Sequence, residues 1–191
     1  MFHKIIPTVI NLEGGLSLDP NDNGNWTGGK HGVGELRGTK YGISAASYPQ
    51  VDIRALTVDD AKAIYKRDYW DKVGGDELPP ALAAVVFDAA INSGVGTALK
   101  LLNESAGLLD FIGRRFQHYA SLGQFDVYGR GWTRRFAEIV RLAGTLKPDG
   151  PHLAVFDDRN QEALTLPIPE GASVITRSAP PKYFVRIERK S

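Results

Sequence analysis

The chain contains no cysteine, and its 191 residues include a single methionine. Without cysteine there is no disulfide framework, no thiol nucleophile and no thiolate-bound zinc. The compartment stays open, because a cysteine-free protein tolerates any redox state. Long hydrophobic runs are also missing. The N-terminus Met1-Phe2-His3-Lys4-Ile5-Ile6-Pro7 is too short in apolar residues for a signal peptide or a spanning helix, so membrane insertion is not expected. A strong charge imbalance is absent too. At +1 the chain has no global field to draw it to nucleic acid. The four histidines, His3, His31, His118 and His152, stand at no metal-ligand spacing, and there is no His-Glu-x-x-His. No metal site and no metallopeptidase are expected. There is no Gly-x-Ser-x-Gly elbow, and Gly28-Gly29-Lys30 lacks the first glycine and the hydroxyl of a phosphate loop. No organic cofactor is expected either.

What is present is helical periodicity over the first three quarters of the chain. Ile6, Val9, Ile10 and Glu13 share one face of a helix expected over 3–14, with Pro7 in its first turn or so and Gly14-Gly15 as its stop. Residues 16–41 are rich in Gly, Asn and Asp and read as a long loop, with room for a short hairpin. Thr57 with Asp60 reads as a helix cap, followed by a helix to about Val73 with Ala61, Ile64, Tyr65 and Tyr69 inward. Further helices are expected from Pro79-Pro80 to Ser93 (Leu82, Val85, Val86 and Ala89 buried), over 95–106, over 109–121, and from near Gly131 to about Gly144. From 145 the pattern changes. Leu153–Phe156, Ala163–Leu166, Ser173–Thr176 and Tyr183–Ile187 are strand-like runs separated by turn residues. The expected organisation is an α-rich domain over 1–144 and a strand-rich extension over 145–191.

One constellation carries chemistry. Glu13 closes the first helix, beside its apolar stripe. Behind it come Asp19-Pro20, Asp22, Gly24 and Thr39-Lys40-Tyr41-Gly42-Ile43. A carboxyl at a helix C-terminus meets the negative end of the dipole, and burial also disfavours its charge. Glycoside hydrolysis needs such a proton-bearing carboxyl, because a glycosidic oxygen leaves poorly until protonated. A second polar group must guide water or stabilise the developing cation. Glu13 is the candidate acid, Asp22 the candidate partner, and Thr39 the candidate water-positioning hydroxyl. Each also has a structural reading. Asp22 can bond its own turn, and Thr39 can cap a helix beginning at Gly42. Glu35 is a rival second carboxylate that reads better as a solvated loop charge. Trp26 and Tyr41 are candidate sugar platforms. Asp88 and Asn92 fall on one helix face, as the wall of a cleft or as a buried polar pair. Arg114-Arg115 and Arg134-Arg135 read as exposed helix charges, and Trp132 as a core anchor.

The ordered set resembles glycoside hydrolase family 108, the lysozyme-like N-acetylmuramidases of bacteriophages and bacteria. The resemblance spans about residues 2–142. It rests on Glu13-Gly14-Gly15, Asp19-Pro20, Asp22, Gly24, Thr39–Ser44, Ile64-Tyr65, Asp68–Asp71, Phe87–Gly94 and Gly129–Trp132. It implies a lysozyme-like helical fold with an active-site loop or small hairpin. It implies cleavage of peptidoglycan between N-acetylmuramic acid and N-acetylglucosamine, with Glu13 as the acid. The sequence departs from the family at Leu109–Gly113, a remnant of a longer segment, and after about Ala143.

Two other chemistries remain open at this level. A lytic transglycosylase also needs one glutamate but no water, and a non-catalytic wall-binding or virion structural protein needs neither. An endolysin, or a virion-borne lysin docked on a phage tail or baseplate through 145–191, is the biological expectation. It would act at the cell wall without a signal peptide of its own. Carboxyl separation decides the stereochemistry, at roughly 5–5.5 Å for retention and 6.5–9.5 Å for inversion. Analogy with phage-type lysozymes favours inversion.

Overall fold

The computed structural model describes residues 1–146 in full, and the backbone of three later strands at 152–156, 162–167 and 184–188. Helix α1 spans Phe2–Glu13 and buries Ile5, Ile6, Val9 and Ile10, the stripe that its spacing demands. Because α1 starts at Phe2, Pro7 lies inside the helix rather than in its first turn. The missing N–H falls on the exposed side, where water can satisfy the freed carbonyl.

The loop after α1 is organised, not loose. Its centre is the buried Asn25, whose carbonyl accepts the N–H groups of Arg37 and Gly38, both at 3.0 Å. The Asn25 amide donates to the Asp19 carbonyl at 2.9 Å. Isolated bridges pair Ser17 with Thr39 and Trp26 with Leu36. The loop ends in a tight hairpin, β1 (Thr39–Lys40) against β2 (Ile43–Ser44). Its two turn residues, Tyr41 and Gly42, have φ of 52° and 75°, the left-handed pair that matches strand twist in a two-residue hairpin. The alternative of a helix beginning at Gly42 with Thr39 as its cap is therefore overturned. Strand pairing satisfies the backbone there instead.

Helix α2 (Val58–Tyr65) opens on a full capping box between Thr57 and Asp60. It does not continue to Val73 as one α-helix. A π-helical turn at Lys66–Trp70 and a 3-10 turn at Asp71–Val73 follow. The wider turn puts residues five apart on one face. Tyr65 and Trp70 thus both point inward, 1% and 0% exposed, while Tyr69 is half-buried.

Helix α3 (Pro80–Ser93) is the centre of the molecule. It is buried continuously from Ala83 to Ala90, with Leu82 only half-buried. A helix apolar on all sides must be surrounded. Helices α4 (Val95–Asn103), α5 (Leu108–Ser121) and α6 (Phe125–Thr145) pack around it. Phe2, Trp70 and Phe87 meet edge to face at 5.4–5.7 Å beneath. Helix α6 starts at Phe125, well before Gly131. The glycines that read as breakers are absorbed into the helix. A side chain at Gly129 would collide with the Phe125 ring at 2.9 Å.

The later strands β3 (His152–Phe156), β4 (Glu162–Pro167) and β5 (Phe184–Glu188) form an antiparallel sheet in the order β4-β3-β5. The expected run at Ser173–Thr176 lies outside the described residues. The architecture is mainly helical with a small two-stranded sheet beside α1, consistent with the expected lysozyme-like fold. Among the described residues, no helix is long and apolar enough to cross a membrane.

Candidate active site

Glu13 is the last residue of α1, with its side chain 19% exposed. The hairpin tip lies directly against it. A Cβ on Gly42 would stand only 2.8 Å from Glu13 Oε2, so a glycine is what allows this approach. Tyr65 fixes the tip from below by donating its hydroxyl hydrogen to the Tyr41 carbonyl at 2.9 Å. Burial, and then the nearby Glu13 carboxylate, push ionisation of the Tyr65 phenol well above its ordinary value. The phenol therefore keeps the proton that holds the turn.

Glu13 also meets a cation. Arg135, on α6, donates Nη1–H to Glu13 Oε1 at 2.5 Å. Arg135 Nε donates to Asp88 Oδ1 at 2.8 Å. Its Nη2 lies equally close to that oxygen, but it is misaligned and makes no hydrogen bond. Asp88, 0% exposed, gives its other oxygen to Arg115 Nη2 at 2.6 Å. Arg115 is also 0% exposed. It donates to the Tyr119 hydroxyl at 2.5 Å and to the Val85 carbonyl, and it lies 4.3 Å over the Phe136 ring. Tyr119 in turn donates to Asn92 Oδ1 at 2.9 Å. Burial alone would make the Arg135 cation easier to discharge. Asp88 first, and Glu13 next, more than offset this, so the guanidinium stays charged at any working pH.

The remaining expected site residues divide clearly. Tyr41 and Gly42 form the turn over Glu13. Thr39 sits in β1 two residues earlier, half-buried, its backbone paired with Ser17 and Ser44. Asp22 is exposed and caps the 3-10 turn Asn23–Asn25, accepting the Gly24 N–H at 2.9 Å. It shares no hydrogen-bond partner with Glu13. Trp26 donates its ring N–H to the Pro20 carbonyl at 2.8 Å and meets His31 edge-on. It braces the loop and is only partly open to a sugar. Glu35 is exposed and paired with Arg37. Asn92 is exposed. Asp88 is corrected. Expected to line the cleft, it is fully enclosed and out of reach of a substrate, and the two arginines against it offset the cost of burying its charge.

Arg115 and Arg135 were read from sequence as exposed, and that reading is also corrected. A pattern for them was present. Phe111, Arg115 and Tyr119 recur every fourth residue on α5, and all three are buried. On α6, Arg135 adjoins the buried Phe136 and Ile139. An arginine on an apolar stripe is a sign of a buried partner.

The fold is consistent with a lysozyme-like helical domain, and comparison with known families supports a glycoside hydrolase. Residues 6–94 match the family described as glycosyl hydrolase 108, in agreement with the resemblance carried by the motifs. The solved structure of SagA from Brucella abortus is similar to this chain. It is 28% identical with a TM-score of 0.60, and the match covers 74% of this chain and 92% of that one. A comparison with curated proteins returned no match. The family implies a glycosidase that hydrolyses peptidoglycan.

Proposed function

We propose that the chain is an N-acetylmuramidase, hydrolysing the β-1,4 bond from N-acetylmuramic acid to N-acetylglucosamine. The observation that carries this reading is the setting of Glu13: a helix-end carboxyl under a hairpin tip, gripped by an arginine that it must share with Asp88. Glu13 donates a proton to the glycosidic oxygen as the bond to the anomeric carbon breaks. After transfer Arg135 stabilises the carboxylate that remains, so the charge created by the step is met where it forms. Asp22, with one oxygen on its own turn, orients water or stabilises the oxocarbenium-like transition state together with Thr39. Water attacks the anomeric carbon and gives its proton to the Asp22 carboxylate, leaving a free reducing end.

Mass spectrometry of fragments released from purified peptidoglycan, by wild type and by Glu13→Gln, tests the reading. Reducing N-acetylmuramic acid ends that vanish in the variant support it. A 1,6-anhydro product means a transglycosylase instead, and no release from several wall types means a binding or structural protein. NMR of the first-formed anomer tests the inverting outcome, which a retained β configuration would refute.

The biological proposal is a phage endolysin or virion-associated lysin, with 145–191 docking the enzyme on a tail or baseplate. Its support is the strand-rich character of that segment, with β4 and β5 as the edges of the sheet. Absence of the protein from purified virions sinks the virion form.

A further inference from the structure

Helix α6 carries more than Arg135. Tyr128 lies seven residues before it, so the two occupy nearly the same angular position on the helix, about 10 Å apart along the axis. Trp132 lies between them on the same side. Tyr128 is 53% exposed, a large ring that the core does not need. Its ring centroid is 6.0 Å from that of Trp132, with the planes tilted by 31°. Trp132 is 5.6 Å from Tyr119, tilted by 32°. The three rings form a gently turning shelf from solvent to core.

The shelf is tied to the site by a second, independent set of contacts. The hydroxyl of Tyr119 is held by Arg115, which holds Asp88, which holds Arg135 on Glu13. On its other side the same hydroxyl orients Asn92 through Oδ1. This sets the exposed Asn92 beside the inner ring of the shelf.

We propose that Tyr128 and Trp132, with Asn92 at their edge, form a glycan subsite that continues the cleft from Glu13 along α6. The inference rests on the muramidase reading for its ligand, an amino-sugar strand. A pyranose ring presents an apolar C–H face that packs on an aromatic plane, while its hydroxyl and acetamido groups need hydrogen-bond partners at the rim. Tyr128 and Trp132 supply the plane and Asn92 supplies a donor.

The test uses the full chain with Glu13→Gln, so that ligand binds without being cleaved. Calorimetry measures its affinity for a soluble peptidoglycan-derived tetrasaccharide. Tyr128→Ala is expected to weaken binding about five- to tenfold, the scale of one lost aromatic contact, with an unchanged melting temperature. Tyr128→Phe is expected to keep the affinity, because the ring face and not the hydroxyl carries the contact. In the active protein the loss from Tyr128→Ala falls on KM. Binding that Tyr128→Ala leaves unaltered overturns the subsite and leaves the muramidase reading intact. Binding through Tyr128 by a protein that releases no reducing ends overturns the muramidase reading and leaves the subsite standing. Failure of the tetrasaccharide to bind at all overturns both.

Discussion

At the scale of single residues, the site depends on how a few charges are divided. Arg135 bridges Glu13 and Asp88 with different nitrogens, which only a planar fork can do. Arg135→Lys is expected to keep the fold and to lower kcat more than tenfold, since one ammonium cannot serve both carboxylates. A steady-state assay on solubilised glycan, with circular dichroism as the fold control, checks this. Asp88→Asn removes the charge between two arginines, one of them wholly buried. Breaking such a pair costs about 3–5 kcal/mol, so a clear fall in the denaturation midpoint is expected. An unchanged midpoint would mean that water already reaches the cluster. Gly42→Ala forces a side chain into a left-handed position and toward Glu13 Oε2. It is expected to cost about 1 kcal/mol or more in stability and to lower kcat at least tenfold. Wild-type turnover in that variant would remove the hairpin tip from the mechanism. Glu13 itself was legible in the sequence, through its place at a helix end before two glycines. Its cation was not, because 122 residues separate them and no local pattern states which carboxylate an arginine will meet.

At the scale of elements, caps and interruptions decide where side chains point. The Thr57 and Asp60 box was readable from four residues, since both partners lie within one turn. Its hydrogen bonds from the Thr57 side chain, and then from the Thr57 backbone, hold the Asp60 carboxyl below its usual value of 3.8. A carboxyl depressed on folding contributes stability that is present above its unfolded value and is lost as pH falls through the lower folded value. Thr57→Ala is therefore expected to lower the melting temperature at pH 7, by the equivalent of about 1 kcal/mol for a lost cap. The gap between variant and wild type should narrow as the solution is acidified below 3.8, to what the Asp60 N–H to Thr57 Oγ bond alone contributes. A gap that does not narrow in acid would assign the whole loss to that bond and none to the Asp60 carboxylate. Two features escaped the sequence for the same reason. The π-helical turn that ends at Trp70 and the continuation of α6 through Gly129 both go with a glycine packed against an aromatic ring. Gly75 leaves room for the Trp70 ring, and Gly129 leaves room for Phe125. A glycine in isolation reads as a break. Against an aromatic ring it is a fitting.

At the scale of the whole molecule, α3 is the axis on which the site is assembled. It carries Asp88 at its buried middle and Asn92 near its end, and α5 and α6 bring the arginines to it. Since α6 ends at Thr145, the proposed boundary between the helical unit and the strand-rich extension falls just after it. A chain ending at Leu146 is expected to melt cooperatively and to release the same fragments from peptidoglycan. Loss of folding in that chain would make the sheet part of the core.

The sequence by itself determined the helices whose apolar stripes recur at fixed spacing, the cap of α2, the strand character of the later segment, and the place of Glu13 at the end of α1. These depend on neighbours within a turn or two, so periodicity and local hydrogen bonding suffice to read them. Only the tertiary structure decided that Thr39 lies in a hairpin whose tip covers Glu13, that Asp88 is enclosed rather than open to ligand, and that Arg115 and Arg135 are held inside. The first is decided by backbone pairing between strands, and the other two are balances between desolvating a charge and meeting its opposite across the fold. That balance is set by packing distances between segments far apart in the chain.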